Sequence, residues 1–163
     1  MGMKIVWLAI LERCEIRQSK VVNVARLQLA NKAKQKNKII MSKARIFDSS
    51  QFFQTTDGEP IRSVVTESPD AVVVAWYINP NQKIPPHLHP NGQDTWTIIS
   101  GKGEYYLDKT GNTQPIAAGD VVIAHTGSVH GVFNNGNEPL VFISVVSPAT
   151  AGYQLVDIEG TNS

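Results

Sequence analysis

Between residues 70 and 147 the chain is a succession of short runs rich in β-branched and aromatic residues, each cut off by Gly, Pro or Asn. Val72-Val73-Val74-Ala75-Trp76-Tyr77-Ile78 stops at Asn79-Pro80-Asn81. Thr95-Trp96-Thr97-Ile98-Ile99 stops at Ser100-Gly101-Lys102-Gly103, and Glu104-Tyr105-Tyr106-Leu107 follows at hairpin distance. Val121-Val122-Ile123-Ala124, then Val129 to Phe133, then Leu140 to Val146 complete the series. Such runs, about ten residues apart, suit pleated strands joined by tight turns. No helical period of useful length interrupts them. The expectation is an all-β, antiparallel sandwich or barrel.

Two of the runs are apolar on both faces. In Leu140 to Val146, residues Leu140, Phe142 and Val146 share one face, and Val141, Ile143 and Val145 share the other. Val72 to Ile78 does the same. An antiparallel barrel normally wets its outer face. Two-sided apolarity therefore predicts a cover, and a second copy of the chain, giving a homodimer, is preferred over a terminal segment.

With 163 residues the chain has room for one core. Its net charge of +1 conceals a division. Residues 1–40 hold nine Lys or Arg against Glu12 and Glu15, whereas residues 41–163 hold six basic and twelve acidic residues. We expect a basic N-terminal extension at 1–40, helical from about Cys14 to Lys34 or disordered, and a separate domain at 41–163. Met41-Ser42-Lys43 resembles a natural start, so the extension is expected to lie outside the native protein. The acidic second piece offers no basic stripe, so no nucleic acid partner is expected. No apolar run reaches the length of about 18 residues that spans a bilayer, so no membrane partner is expected either. A secretory signal is not evident, and Cys14 is the only cysteine, which excludes an intrachain disulfide; a cytoplasmic location is expected.

The chemistry lies in the histidines. His87, His89, His125 and His130 all fall in the strand-rich region. On a strand, His87 and His89 point the same way, and Pro85-Pro86 just before them blocks a helix. Pro85-Pro86-His87-Leu88-His89-Pro90-Asn91-Gly92-Gln93-Asp94, six residues and then Gly101 resembles the first cupin motif: His, any, His, three or four residues, Glu, six residues, Gly. Gly119, five residues, His125, Thr126, Gly127, two residues, His130, three residues and Asn134 resembles the second motif, with His125 where the family has Pro. The resemblance covers about residues 80–147. It implies a double-stranded β-helix, or jelly-roll, barrel of six to eight strands with one divalent metal in its mouth.

Carried over residue by residue, the implied ligands are His87, His89, His130 and the residue at position 94, which is Asp94 where the family has Glu. Gln93 competes for the fourth place, because its longer side chain also falls within the family's spacing. A carboxylate with three imidazoles suits Fe, Mn or Ni, whereas an amide would suit Zn as well. Trp96, Trp76 and Phe142 are candidates for the wall of a substrate pocket, Trp96 because it shares strand parity with Asp94. His125 belongs to the surface or to the pocket rim. Gly101-Lys102-Gly103 reads as a hairpin turn, and Gly119 and Asn134 as turn residues. One of Tyr105 and Tyr106 should point inward.

The resemblance implies a small-molecule partner and two classes of function. One is a metal-dependent enzyme: a dioxygenase, or an isomerase, cyclase or lyase with the metal as Lewis acid. The other is a binding module that captures a sugar or another small molecule without turnover.

Overall fold

The computed structural model describes residues 26–29, 31–32 and 44–158. The chain divides into Met1–Ala44 and Arg45–Ser163. In the first unit residues 26–29 and 31–32 are helical. The rest of the extension expected at 1–40 lies outside the described residues.

Among the described residues of the second unit the alternating sequence becomes ten strands in two antiparallel sheets. They are β1 (Ser63–Glu67), β2 (Val72–Ile78), β3 (Lys83–Leu88), β4 (Gln93–Ser100), β5 (Lys102–Tyr106), β6 (Thr113–Ala117), β7 (Val121–Ala124), β8 (His130–Phe133), β9 (Leu140–Ser147) and β10 (Gln154–Leu155). One sheet has the order β1-β2-β9-β4-β7 and the other β10-β3-β8-β5-β6. Chain neighbours thus repeatedly fall in different sheets, as in a double-stranded β-helix. The jelly-roll expectation holds, with more strands than the six to eight implied.

Gly101 corrects a local expectation. β4 and β5 do not form a hairpin: they belong to different sheets, and the turn carries the chain from one to the other. Gly101 has φ of 78°, and a Cβ there would run into the carbonyl of Pro139, so only glycine fits. Asn134 closes the same end of the barrel. Fully buried, its amide donates to the carbonyls of Ile78 and Glu138 at 2.9 Å each, and its side-chain oxygen accepts from Gly136 N–H. One side chain thereby ties the end of β2 to the turn between β8 and β9.

Inward residues of the two sheets form the core. Ile78, Ile98, Leu140, Phe142, Val132, Ile116, Tyr105 and Trp96 pack together, Trp96 stacked on Phe142 with ring centroids 4.5 Å apart. Tyr105 is the inward tyrosine and meets the Trp96 ring edge-on. Burying each large side chain of this kind contributes roughly 1.5–3 kcal/mol.

The outer face of the first sheet is apolar, as the two-sided runs require. Part of it is covered from within the chain. The 3-10 turn Ser49–Phe52 packs against β1 and β2, and the outward-facing Ala75 is buried. Ile99, Val121 and Ile123 on β4 and β7 remain exposed. Among the described residues no helix is long and apolar enough to cross a membrane.

Candidate metal centre

The cluster is assembled from three strands and one loop end. β3 contains Pro85 and Pro86, which have no N–H to give to the ladder. Its register with β8 shifts between Ile84 and His87, and this bulge turns both of those residues inward despite their odd spacing. His87 then lies directly opposite His130, the first residue of β8, with ring centroids 4.1 Å apart. His89 follows at the strand end. Asp94 comes from β4, on the inward face it shares with Trp96 and Ile98.

His87, His89, Asp94 and His130 are all buried, and one ligand atom from each lies within 4.8 Å of all the others. The backbone fixes how the imidazoles face. Nδ1 of His87 is 2.8 Å from the Pro85 carbonyl, Nδ1 of His89 is 2.5 Å from that of Gly152, and Nδ1 of His130 is 3.0 Å from that of Ser128. A carbonyl only accepts, so each Nδ1 carries the proton and each Nε2 presents a lone pair. The Nε2 atoms of His89 and His130 lie 3.8 and 3.5 Å from Asp94 Oδ2. That oxygen accepts from Trp96 Nε1 at 2.8 Å.

Two atoms of this cluster, Asp94 Oδ1 and His130 Nε2, are buried with no hydrogen-bond partner. Orphaned polar atoms cost about 1–3 kcal/mol each. Lone pairs from three imidazoles and a carboxylate converge here, those two atoms without a partner, and form a donor set that a divalent cation would complete. The residues fit the metal that the motifs imply.

Charge follows the same geometry. Burial, helped by repulsion from His130, lowers His87 to a pKa of about 4. Burial opposes the charged forms of His89 and Asp94 too, but the attraction between a protonated imidazole and the carboxylate outweighs it, helped at His89 by the Gly152 carbonyl; at Asp94 His130 acts first, then His89 and the Trp96 N–H. His89 is therefore raised and Asp94 held well below the usual carboxylate range.

Of the two rivals for the fourth position, Asp94 enters the cluster and Gln93 does not. The Gln93 amide points the other way, bonding Thr95 Oγ1 at 3.0 Å and meeting His125 at 3.3 Å. His125 is exposed and lies apart from the cavity lining.

A cavity of about 520 Å³ opens beside the cluster, with His87, His89 and Asp94 in its wall. This lies within the range of about 300–1,000 Å³ usual for small-molecule sites. Of the three aromatic residues expected to line a pocket, Trp76 does; Trp96 and Phe142 are packed in the core instead. Parity put them inside the barrel correctly, but inside is both packed core and hollow. The lining that sequence reasoning missed is Arg62, Val72, Val74, Ile84, Ser144, Val146, Ala149, Ala151, Gly152 and Tyr153. Tyr153 and Gly152 lie beyond the second motif, where no spacing marks them. Strand parity alone would have offered Val72, Val74 and Val146.

Fold and site together define a class: a jelly-roll barrel with a buried three-histidine, one-carboxylate cluster able to hold a metal. The cupin domain profile matches residues 74–146. A solved protein with a double-stranded β-helix domain, from Klebsiella pneumoniae subsp. pneumoniae MGH 78578, is 49% identical with a TM-score of 0.68, over 71% of this chain and 99% of that one. Germin-like protein 9-3 of Oryza sativa subsp. japonica is 36% identical over 83 residues, 48% of this chain; the match spans only 39% of that relative's length. The oxalate-binding protein of Thermotoga maritima is 33% identical over 70 residues, 39% of this chain and 56% of that protein. The chain belongs to the cupin family.

Proposed function

We propose that this cupin is a metal-dependent small-molecule enzyme whose reactive centre is one divalent ion held by His87, His89, Asp94 and His130. The observation that carries the reading is the convergence of unsatisfied lone pairs at Asp94 and His130, in a cluster whose His87, His89 and Asp94 line a substrate-sized cavity. A carboxylate with three imidazoles favours Fe, Mn or Ni over Zn. When bound, such an ion supplies Lewis acidity toward a carbonyl or hydroxyl oxygen, or redox chemistry.

The chain's own residues do the remainder. The carbonyls of Pro85, Gly152 and Ser128 hold the imidazoles in one tautomer. Trp96 orients Asp94 and shares its charge. Val72, Val74, Val146 and Trp76 exclude water from the bound molecule, and Tyr153, its ring 4.7 Å from that of His87, roofs one side.

A binding module is the second reading. It is favoured by the lining, which offers no carboxylate, lysine or thiol outside the candidate ligands to act as general acid or base. The relative named as an oxalate binder supports this second reading too. Metal analysis after anaerobic purification, on the wild type and His87→Ala, tests what both share. Stoichiometric metal that persists in the variant contradicts the site. Oxygen uptake and product analysis with catechols, diketones and thiols separate the two readings: tight metal with no turnover favours the module.

For the exposed apolar strip of Ile99, Val121 and Ile123, we propose a second copy of this chain as the cover, because the strip continues the half-buried outer face of β9. Light scattering should give a dimer mass that Val121→Glu halves; a monomeric wild type refutes it.

A further inference from the structure

The cavity beside the metal centre has a chemistry of its own. Its walls are apolar for the most part: Val72, Val74 and Trp76 from β2, Ile84 from β3, Val146 from β9. Ser144 and Tyr153 are the neutral polar exceptions. One charged side chain outside the candidate ligands lines it, Arg62, which immediately precedes β1.

Arg62 is exposed, which puts its guanidinium at the mouth rather than in the depths. Among the described residues it has no carboxylate at ion-pair distance. It lines the same cavity as His87, His89 and Asp94. A divalent ion set against the single carboxylate of Asp94 leaves one positive charge, and Arg62 adds another. A hollow with low-dielectric walls and charge of one sign concentrates the opposite ion.

Size and polarity narrow the class. A very small dianion would fill little of a cavity of about 520 Å³, and valine walls leave its oxygens without partners. An apolar body displaces water from those walls favourably. A guanidinium fork matches a planar carboxylate with two parallel hydrogen bonds.

We infer that the cavity takes an organic carboxylate with an apolar body, its carboxylate on Arg62, its body against Val72, Val74, Val146 and Trp76, and its far end facing the wall of His87, His89 and Asp94. Arg62 is then the specificity-determining residue of this site. The inference rests on the reading of the cavity as the small-molecule site, but not on which metal is bound.

The test is calorimetric titration of the full chain with 3-phenylpropionate, 3-phenylpropionamide and oxalate, first in chelator-treated protein and then with Mn(II). The wild type should bind 3-phenylpropionate about five- to tenfold tighter than its amide, the range for a partly exposed, charge-assisted pair. Arg62→Ala should bring the acid down to the amide and leave the amide unchanged. Arg62→Lys should recover part of the difference, since it restores the charge without the fork. Oxalate should bind the chelator-treated protein more weakly than 3-phenylpropionate. Equal affinities for acid and amide, a ratio that survives in Arg62→Ala, or no binding of either probe overturns the inference. Metal content, measured separately, should be the same in Arg62→Ala as in the wild type. If no metal binds, the proposed function fails, while the acid-to-amide ratio in chelator-treated protein still decides the role of Arg62.

Discussion

The two ends of the barrel interior are built on the same strands and differ in what those strands carry. Toward one end, β2, β4 and β9 present Ile78, Ile98, Leu140 and Phe142, which pack with Trp96 and Tyr105 into a closed core. Toward the other end, β2 and β9 present Val72, Val74, Ser144 and Val146, and a cavity remains. Strand parity is the same along β2 and β9; side-chain volume changes, and at Ser144 polarity does too. Filling one half stabilises the barrel so that the other half can stay hollow and hold four polar groups with two unsatisfied atoms. Stability and chemistry are thus separated along each strand rather than between different strands.

Substitutions on either side should break or sharpen this division. The largest effect is expected on metal affinity. His87→Ala should lower it by more than the roughly 10–100-fold typical of losing an outer partner, read by competition with a chromophoric chelator, and the fold should persist by circular dichroism. Phe142→Ala does the converse: it should cost about 3–5 kcal/mol in urea unfolding with little change in metal affinity of the folded protein. A large fall in both for either variant would show that the halves are one unit.

The next effect is on pH dependence. In metal-free protein, His87 is held to about 4 by burial, against its ordinary 6.5. Between those values the unfolded chain takes up a proton that the native state refuses, so stability falls as pH drops from 6.5 to 4. The loss is at most about 3 kcal/mol. His89 reduces it, because its raised pKa makes protonation favour the native state as pH falls through that value and below. Urea titrations across this window should show the slope, and His87→Ala should flatten or reverse it.

The smallest effect is expected from filling the hollow. Val146→Phe adds volume where there is space, so stability should change by no more than about 1 kcal/mol. Binding of 3-phenylpropionate should nevertheless be lost. Destabilisation well beyond this figure would mean that the cavity wall is as tightly packed as the core.

The site was far more legible in the sequence than its surroundings. His87, His89 and His130 stand at motif spacings, and Asp94 against Gln93 is decided by alternation: one faces in, the other out. β2, β4 and β9 are long, apolar and well bounded, so they read clearly. β6, with Thr113, Gln114 and Pro115 all exposed, has one inward apolar residue, Ile116, and therefore almost no pattern. β10 is two exposed residues held by pairing to β3, a tertiary effect that leaves no local trace. The Gly101 turn misled because a tight turn looks the same whether its strands pair or part. Trp96 and Phe142 misled for a related reason, since inwardness does not tell core from cavity. The bulge at Pro85-Pro86 shows the limit from the other side: it overrides the period of two on which every parity argument rests.

The contact between His89 and Gly152 has a bearing on when the site is complete. Four candidate ligands lie within residues 87–130, yet the ring of His89 is oriented by a carbonyl 63 residues further along the chain. That carbonyl is in place only when the chain beyond β9 has returned to β3, a closure of high sequence separation. The complete site therefore exists only in the closed barrel, and an ion that prefers it stabilises that closed state by mass action.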